Sequence, residues 1–365
     1  MEEKLKVGII GATGMVGQRF VTLLHDHPWF RIEVLAASGR SAGHTYGEAV
    51  SGRWKMVTEI PEEIRDMTVF DAANVEEIAS KVDFVFCAVN MDKNRIYALE
   101  EAYARAEVPV VSNNSANRNT PDVPMVIPEI NPEHLEIIET QRKRLGTKRG
   151  FIAVKPNCSI QSYVPALTPL LKFGPEQVVA TTYQAVSGAG KTLSEWQEMV
   201  DNVIPYISGE EEKSEQEPLK IWGSVRDGQI EKASDPVIST QCIRVPVTDG
   251  HTAAVFVKFK NKPTKEQILE AWNGYESPSP VLPSSPDKFI TYFEEPDRPQ
   301  SRLDRSLYNG MGISVGRLRE DSIFDYKFVG LSHNTLRGAA GGAVLIAELL
   351  TAKGYITKKL KNSRL

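Results

Sequence analysis

Cysteine is scarce and scattered: Cys87, Cys158 and Cys242 are the only three in 365 residues. An odd, widely spaced set does not read as a disulfide framework, and no Cys or His pair stands at zinc-ligand spacing. No apolar run approaches the roughly 18 residues that point to a membrane-crossing helix. Charge of one sign is not concentrated either. The net charge of −4 is mixed along the chain, with no basic block to follow a nucleic-acid backbone and no acidic tail to act as a disordered partner segment. The start, MEEKLKVGIIGA, lacks the basic opening, apolar stretch and small-residue cleavage site of a secretory signal. These absences predict a cytoplasmic protein with free thiols that engages no metal, membrane or nucleic acid. The length suits two domains of roughly 100–200 residues each.

What is present first is a dinucleotide fingerprint. LKVGII, ending at Ile10, is a short apolar run suited to a buried parallel strand. Gly11-Ala-Thr-Gly14-Met-Val-Gly17 follows at once, and a helix pattern runs from Gln18 to Leu24. In this order Gly11 permits a tight turn, Gly14 lets backbone N–H groups approach a pyrophosphate, and Gly17 lets helix and strand pack closely. The helix N-terminus then faces the phosphates with partial positive charge. The spacing is GxxGxxG rather than GxGxxG, which predicts a loop one residue longer. The next strand, Ile32 to Ala37, ends in Ser38-Gly-Arg40-Ser41, with no acid between Glu33 and Glu48 to bond a ribose 2′-hydroxyl. Arg40 with Ser38 and Ser41 suits a 2′-phosphate, so the expected cofactor is NADP; a solvated surface Arg is the plainer reading of Arg40. Val82 to Val89 and Val108 to Ser112 read as further strands around the helical stretch Lys93 to Arg105. This alternation predicts a doubly wound parallel sheet. Cys87, inside a strand pattern, reads as a small buried hydrophobe.

The second half carries the reactive groups. Phe151 to Val154 reads as a strand, followed by Lys155-Pro156-Asn157-Cys158-Ser159-Ile160-Gln161 and then the helix-compatible run SYVPALTPLL. Cys158 therefore stands where a loop enters a helix, a place that lowers a thiol pKa and offers N–H groups to an oxyanion. A packed structural cysteine is the usual reading of a lone Cys; the flanking motif reverses it here, though not for Cys87 or Cys242. Val178 to Val186 alternates like a half-buried strand and leads into Ser187-Gly-Ala-Gly-Lys-Thr192. A Walker loop, and with it a P-loop kinase, is disfavoured because Ala185 stands where its first Gly belongs, but Ser187-Gly188 can lie along the nicotinamide end of a cofactor. Two β-rich runs flank the turn Thr248-Asp249-Gly250. Arg244 before it suits a substrate carboxylate, and His251 after it suits acid/base work near neutral pH. Glu210, Lys213, Glu217 and Lys220 recur at helical steps, and composition alone favours a solvated charged helix for them.

These motifs resemble the aspartate-β-semialdehyde dehydrogenase family in the branch typical of archaea and fungi. The resemblance covers nearly the whole chain: GATGMVG, SNNSANR, KPNCSIQ, YQAVSGAG, the Glu210-x-x-Lys213 segment, CIRVPVTDGH and SHNTLRGAAGGAVLIAELL. It implies NADPH-dependent conversion of L-4-aspartyl phosphate to L-aspartate 4-semialdehyde with release of phosphate, a step toward lysine, threonine and methionine. It also implies an acyl thioester on Cys158, acid/base work by His251 and orientation of the intermediate by Gln184. Arg244 is implied for the substrate α-carboxylate, Glu210 for the amino group, and Arg118, Asn117 and Lys213 for the phosphate. Gly11, Thr13, Gly14, Met15, Val16, Ser38, Arg40, Ser41, Ser187, Gly188 and Asn334 are implied around NADP. The fold implied is α/β: a Rossmann-type NADP-binding domain of residues 1–157 and 333–365, and an α+β catalytic and dimerisation domain of 158–332 with a mixed, largely antiparallel sheet. Asn334 to Leu350 becomes an Ala/Gly/Leu-rich helix returning to the first domain, and Ser277 to Pro286 is a loop. A homodimer or a dimer-of-dimers tetramer is expected. The competing readings are an acyl-CoA or N-acetyl-glutamyl-phosphate reductase on the same scaffold, disfavoured by Arg244 with Glu210 and Lys213, and a non-catalytic NADP-binding sensor, which need not keep both Cys158 and His251.

Overall fold

The computed structural model describes residues 3–359. The first sheet contains β1 (Leu5–Ile10), β2 (Phe30–Ala37), β3 (Val69–Asp71), β4 (Phe84–Cys87), β5 (Val110–Ser112) and β6 (Ile152–Val154). Their order is β3-β2-β1-β4-β5-β6, and every neighbouring pair is parallel. Such a sheet is covered on both faces, which is why its strands read as continuous apolar runs. The order turns back between β1 and β4, and a crevice opens there at the carboxyl ends of the strands.

The glycine loop lies at that crevice. Gly11 has φ +95°, and a Cβ on it would strike the backbone of Ala88. A Cβ on Gly17 would strike the carbonyl of Gly11, so helix α1 (Met15–Leu24) leaves the strand pressed against it. Gly17, Gln18, Phe20, Val21 and Leu24 form its buried face, at the three- and four-residue steps of an amphipathic helix. The helix begins three residues earlier than the sequence pattern indicates.

Helix α2 (Lys93–Arg105) has the bounds read from the sequence. Its N-cap Asp92 accepts from the backbone N–H groups of Asn94 and Arg95, a cap that satisfies two otherwise unpaired donors.

The second sheet begins with β7 (Pro175–Gln184). Helix α3 (Glu210–Ile221) and a small hairpin, β8 (Ser224–Arg226) with β9 (Gln229–Glu231), intervene. The sheet resumes with β10 (Val237–Arg244), β11 (His251–Phe259), β12 (Ile290–Phe293), β13 (Ile313–Glu320) and β14 (Tyr326–Ser332). The order β10-β7-β11-β14-β13-β12 mixes parallel and antiparallel pairs. Its inward residues alternate along β11, with His251, Ala253, Val255, Val257 and Phe259 buried.

Helix α4 (Ala340–Ala352) is buried on all sides over Ala340 to Leu350, as an internal helix is. It shares one core with Val7, Ile9, Phe20, Phe84 and Phe86 of the first sheet and its helix. The loop containing Ser277 to Pro286 is irregular and returns to α4, where the N–H and hydroxyl of Ser284 donate to buried Glu348.

The helix expected directly after Cys158 is not continuous. A 3-10 turn, Ser159–Ser162, is followed by one α-turn, Val164–Leu167, and a second 3-10 stretch, Thr168–Phe173. Pro165 and Pro169 each remove an N–H and exclude regular i→i−4 bonding, so Cys158 gains no long helix dipole.

Candidate active site

Register brings the second sheet's functional residues to one end. Gln184 closes β7 directly opposite Arg244, which closes the parallel neighbour β10. His251 opens antiparallel β11 at that same end, opposite Ser332 of β14. Cys158, just beyond β6 of the first sheet, meets this group: its Sγ lies 3.5 Å from His251 Nε2. It is also the one cysteine that is not fully buried.

The backbone of Ala185 ties His251 to Arg244. The Ala185 N–H donates to His251 Nδ1 at 3.1 Å, and Arg244 Nη1 donates to the Ala185 carbonyl at 2.7 Å. With Nδ1 occupied as an acceptor, the ring proton of a neutral imidazole stands on Nε2. His251 thus faces the sulfur as a donor. Accepting a proton at Nε2 requires the ring first to give up the Ala185 N–H. Gly188 closes over both residues: a Cβ there would lie 2.8 Å from Arg244 Nη1 and 3.1 Å from His251 Cε1 and Nε2.

Helix α3 supplies the acids. Glu210 accepts from both the Asn157 amide, at 3.0 Å to each oxygen, and Gln184 Nε2 at 3.3 Å, and pairs with Lys213 at 2.9 Å. About two turns later, Glu217 accepts from the Asn157 N–H at 2.6 Å and from Arg118 at 2.9 Å. Lys220 is buried and donates to the carbonyls of Arg118, Thr120 and Val123. The helical spacing is therefore real, but this charged face turns inward rather than into solvent.

Burial governs the electrostatics. It pushes the Cys158 thiol up, aided by Glu210 and opposed by Lys155, Arg118 and Arg244. This corrects the expectation of a thiol lowered by a helix start. Burial, then the Arg244 guanidinium and the neighbouring His333 and Lys155, push His251 well below the ordinary imidazole range, so the ring is neutral at working pH rather than poised there. Burial drives Lys155 down to about 7. For Glu210 burial acts upward, but Lys213 and the donors from Asn157 and Gln184 outweigh it and hold the carboxyl below its usual range.

On the other side of the crevice, Thr13 to Val16 wrap the start of α1. A Cβ on Gly14 would meet only the Gly11 carbonyl, at 3.7 Å, and no side chain caps the first-turn N–H groups. Open space in front of free N–H groups fits a pyrophosphate. Ser38 and Arg40 are exposed just past β2, and Ser41 folds back, its N–H on the Ser38 carbonyl. Asn334 reaches the Ser187 hydroxyl at 2.8 Å and accepts from the Gly250 N–H at 2.8 Å. Its amide therefore fixes the Ser187-Gly188 turn against the turn before His251.

One assignment does not fit. Asn117 is buried with its Nδ2 on Glu100 at 2.7 Å and its Oδ1 accepting from Thr120, so its side chain is turned into the protein and is not free for phosphate. The sequence reading also passed over residues that the structure places in the site. Asn157 had a signal, its position beside Cys158. Lys155 stands in that same segment and Glu217 shares the helical spacing of Glu210, but only long-range packing turns them inward and so distinguishes them from surface charges.

Profiles of the semialdehyde dehydrogenase NAD binding domain and dimerisation domain match residues 6–138 and 167–337. Aspartate-semialdehyde dehydrogenase of Archaeoglobus fulgidus is 47% identical over 97% of this chain and 100% of its own length. The Aspergillus fumigatus enzyme is 44% identical over 97% and 99%. The crystal structure of the Candida albicans enzyme with NADP superposes with a TM-score of 0.86 at 41% identity, covering 97% of this chain and all of that one. With the nucleophile, histidine and glycine loop in the places described, the chain belongs to the aspartate-semialdehyde dehydrogenase family.

Proposed function

We propose that this protein reduces L-4-aspartyl phosphate to L-aspartate 4-semialdehyde, releasing phosphate, with NADPH as the reductant. The observation that carries the reading is the 3.5 Å approach of Cys158 Sγ to His251 Nε2, with Arg118 and Arg244 both acting on that thiol electrostatically. The related Candida albicans enzyme was solved with NADP, and a Vibrio cholerae relative, 27% identical with TM-score 0.74, was solved complexed with ASA.

Cys158 sulfur attacks the acyl carbon, the C–O bond to phosphate breaks, and a thioester forms. The thiol proton leaves with the phosphate, which balances the step. Arg244 takes the substrate carboxylate and Glu210 the ammonium, with Gln184 orienting the acyl group. Arg118 and Lys213 take the phosphate and stabilise its departing charge. NADPH, when bound, supplies the hydride that reduces the thioester. His251 Nε2–H donates a hydrogen bond to the oxygen or sulfur that bears negative charge; the C–S bond then breaks, the aldehyde leaves, and the Cys158 thiolate takes up one proton from solvent to restore the thiol. Thr13 to Val16 and the start of α1 hold the pyrophosphate, with Ser38, Arg40 and Ser41 at the 2′-phosphate and Ser187, Gly188 and Asn334 at the nicotinamide end.

Residues 1–157 with 333–365 form the cofactor unit in this reading, its outer ends 1–2 and 360–365 lying outside the described residues; 158–332 form the catalytic unit. The outward face of β7 and β10, where Tyr183 and Val237 are exposed, supports a homodimer across that sheet, and sedimentation separates it from a dimer of dimers. No helix among the described residues is long and apolar enough to cross a membrane; three free cysteines support the cytoplasm as the compartment.

Aspartate semialdehyde, phosphate and NADP are expected to yield NADPH in a spectrophotometric assay, and Cys158→Ala to abolish it. Full turnover by the alanine variant sinks the proposal.

A further inference from the structure

We propose that Glu100 is a positioning residue for phosphate recognition: its carboxylate fixes the loop of residues 112–118 that carries Arg118. Glu100 is on α2 and has no solvent exposure. Its partners are neutral donors from that loop. Oε1 accepts from the Ser112 hydroxyl and from Asn114 Nδ2 at 3.1 Å, and Oε2 accepts from Asn117 Nδ2 at 2.7 Å. Three of the loop's seven side chains therefore converge on one carboxylate. The Asn114 N–H adds a bond to the Ser112 hydroxyl at 3.0 Å, and the Thr120 hydroxyl one to Asn117 at 3.2 Å. The arrangement also gives Cys87 a surrounding that its strand pattern hides, with Asn114 Nδ2 3.4 Å from its sulfur.

A buried carboxylate facing only neutral donors is costly to desolvate, and an apolar side chain would fill the same space at less cost. What a carboxylate alone does is hold several donors in one geometry, because it offers acceptors and no donor. The loop so held ends at Arg118, whose Nη2 donates to the Asn113 carbonyl at 3.0 Å and whose Nη1 pairs with Glu217. Two groups of the same loop are left over: Arg118 Nε and the Asn113 amide are buried without a protein partner. The loop is thus tightened on its inner side by Glu100 and keeps unspent hydrogen-bonding groups beside the guanidinium. Replacing Glu100 by Gln puts a donor against the loop's donors and shifts the Arg118 backbone.

The inference rests on the reading that Arg118 takes the substrate phosphate, so Arg118→Lys is measured beside Glu100→Gln and Asn117→Ala. The full-length enzyme is assayed with aspartate semialdehyde, phosphate and NADP, and kcat and each KM are determined. Glu100→Gln is expected to raise the phosphate KM about tenfold, with the other two KM values within about twofold, because a misplacement of a fraction of an ångström is felt most by the group it orients. Asn117→Ala shifts it in the same direction by less. An unchanged phosphate KM in Arg118→Lys removes the phosphate-pocket reading itself. A raised value there, with phosphate KM unmoved in both other variants or with all three KM values shifted alike, overturns the role of Glu100. If Glu100→Gln does not fold, the phosphate KM of Asn117→Ala alone decides.

Discussion

At the scale of single residues, the nucleophile and its histidine are individually unready in the resting protein. The thiol is pushed up by burial and Glu210, and the imidazole is pushed well down by burial and its cationic neighbours. A raised thiol pKa keeps the sulfur protonated at neutral pH, and a lowered imidazole pKa keeps the ring neutral there, so no imidazolium is present to pair with a thiolate. Alkylation of Cys158 by iodoacetamide in the absence of substrate is therefore expected to be slow at neutral pH. It should rise with pH through a midpoint above the ordinary thiol value of about 8.5, with no inflection near the ordinary imidazole value of about 6.5. A fast plateau already reached below neutrality is the signature of a preformed thiolate–imidazolium pair and contradicts this electrostatic picture. Cys158, Arg244 and His251 were legible as candidates because each lies in a short local pattern: a loop after a strand, a strand end, a strand start after a turn. The protonation states were not, since they depend on burial and on Ala185, whose backbone carries no sequence signal.

At the scale of elements, the strands marked in the sequence were legible to within a few residues because their apolar runs are bounded by Gly, Pro and polar turns; the short β3, β8, β9 and β12 were not marked. Two helices show the limits. The charged spacing of α3 was visible, but the direction its face takes depends on Arg118 and Asn157, 99 and 60 residues away from Glu217. The run after Cys158 had helical composition, yet Pro165 and Pro169 divide it into short turns. Those turns are held by close packing rather than by helical bonding. A Cβ on Gly330 of β14 would strike the Ser162 carbonyl, so the strand lies directly against the turn that follows the nucleophile. Gly330→Ala is expected to destabilise the protein by about 1–3 kcal/mol, the usual cost of overpacking, and to lower kcat through displacement of Cys158. Urea unfolding checks the first effect and the semialdehyde assay the second; wild-type values of both would show that the contact is easily relieved.

At the scale of the molecule, the chain leaves the first sheet after β6, builds the second, and returns through α4. The return is fastened where the two parts meet. Arg337, just before α4, makes a bidentate pair with Glu129 at 3.0 and 2.6 Å and donates to the Met311 carbonyl ahead of β13. Both side chains are almost wholly buried. A second, more exposed tie runs from Lys55 to the Gly190 carbonyl and Glu195, each at 2.8 Å, and exposed ion pairs of that kind contribute little. The buried pair differs because removing one member leaves the other charge without water or partner. Arg337→Met is therefore expected to cost about 3–5 kcal/mol, whereas Arg337→Met combined with Glu129→Leu recovers most of that loss, since an apolar pair of similar volume avoids desolvating either charge. The comparison is made by urea unfolding of wild type, the two single variants and the double variant. A double variant as unstable as the sum of the singles would mean that the two side chains are not coupled, so that neither their attraction nor a stranded charge accounts for the cost.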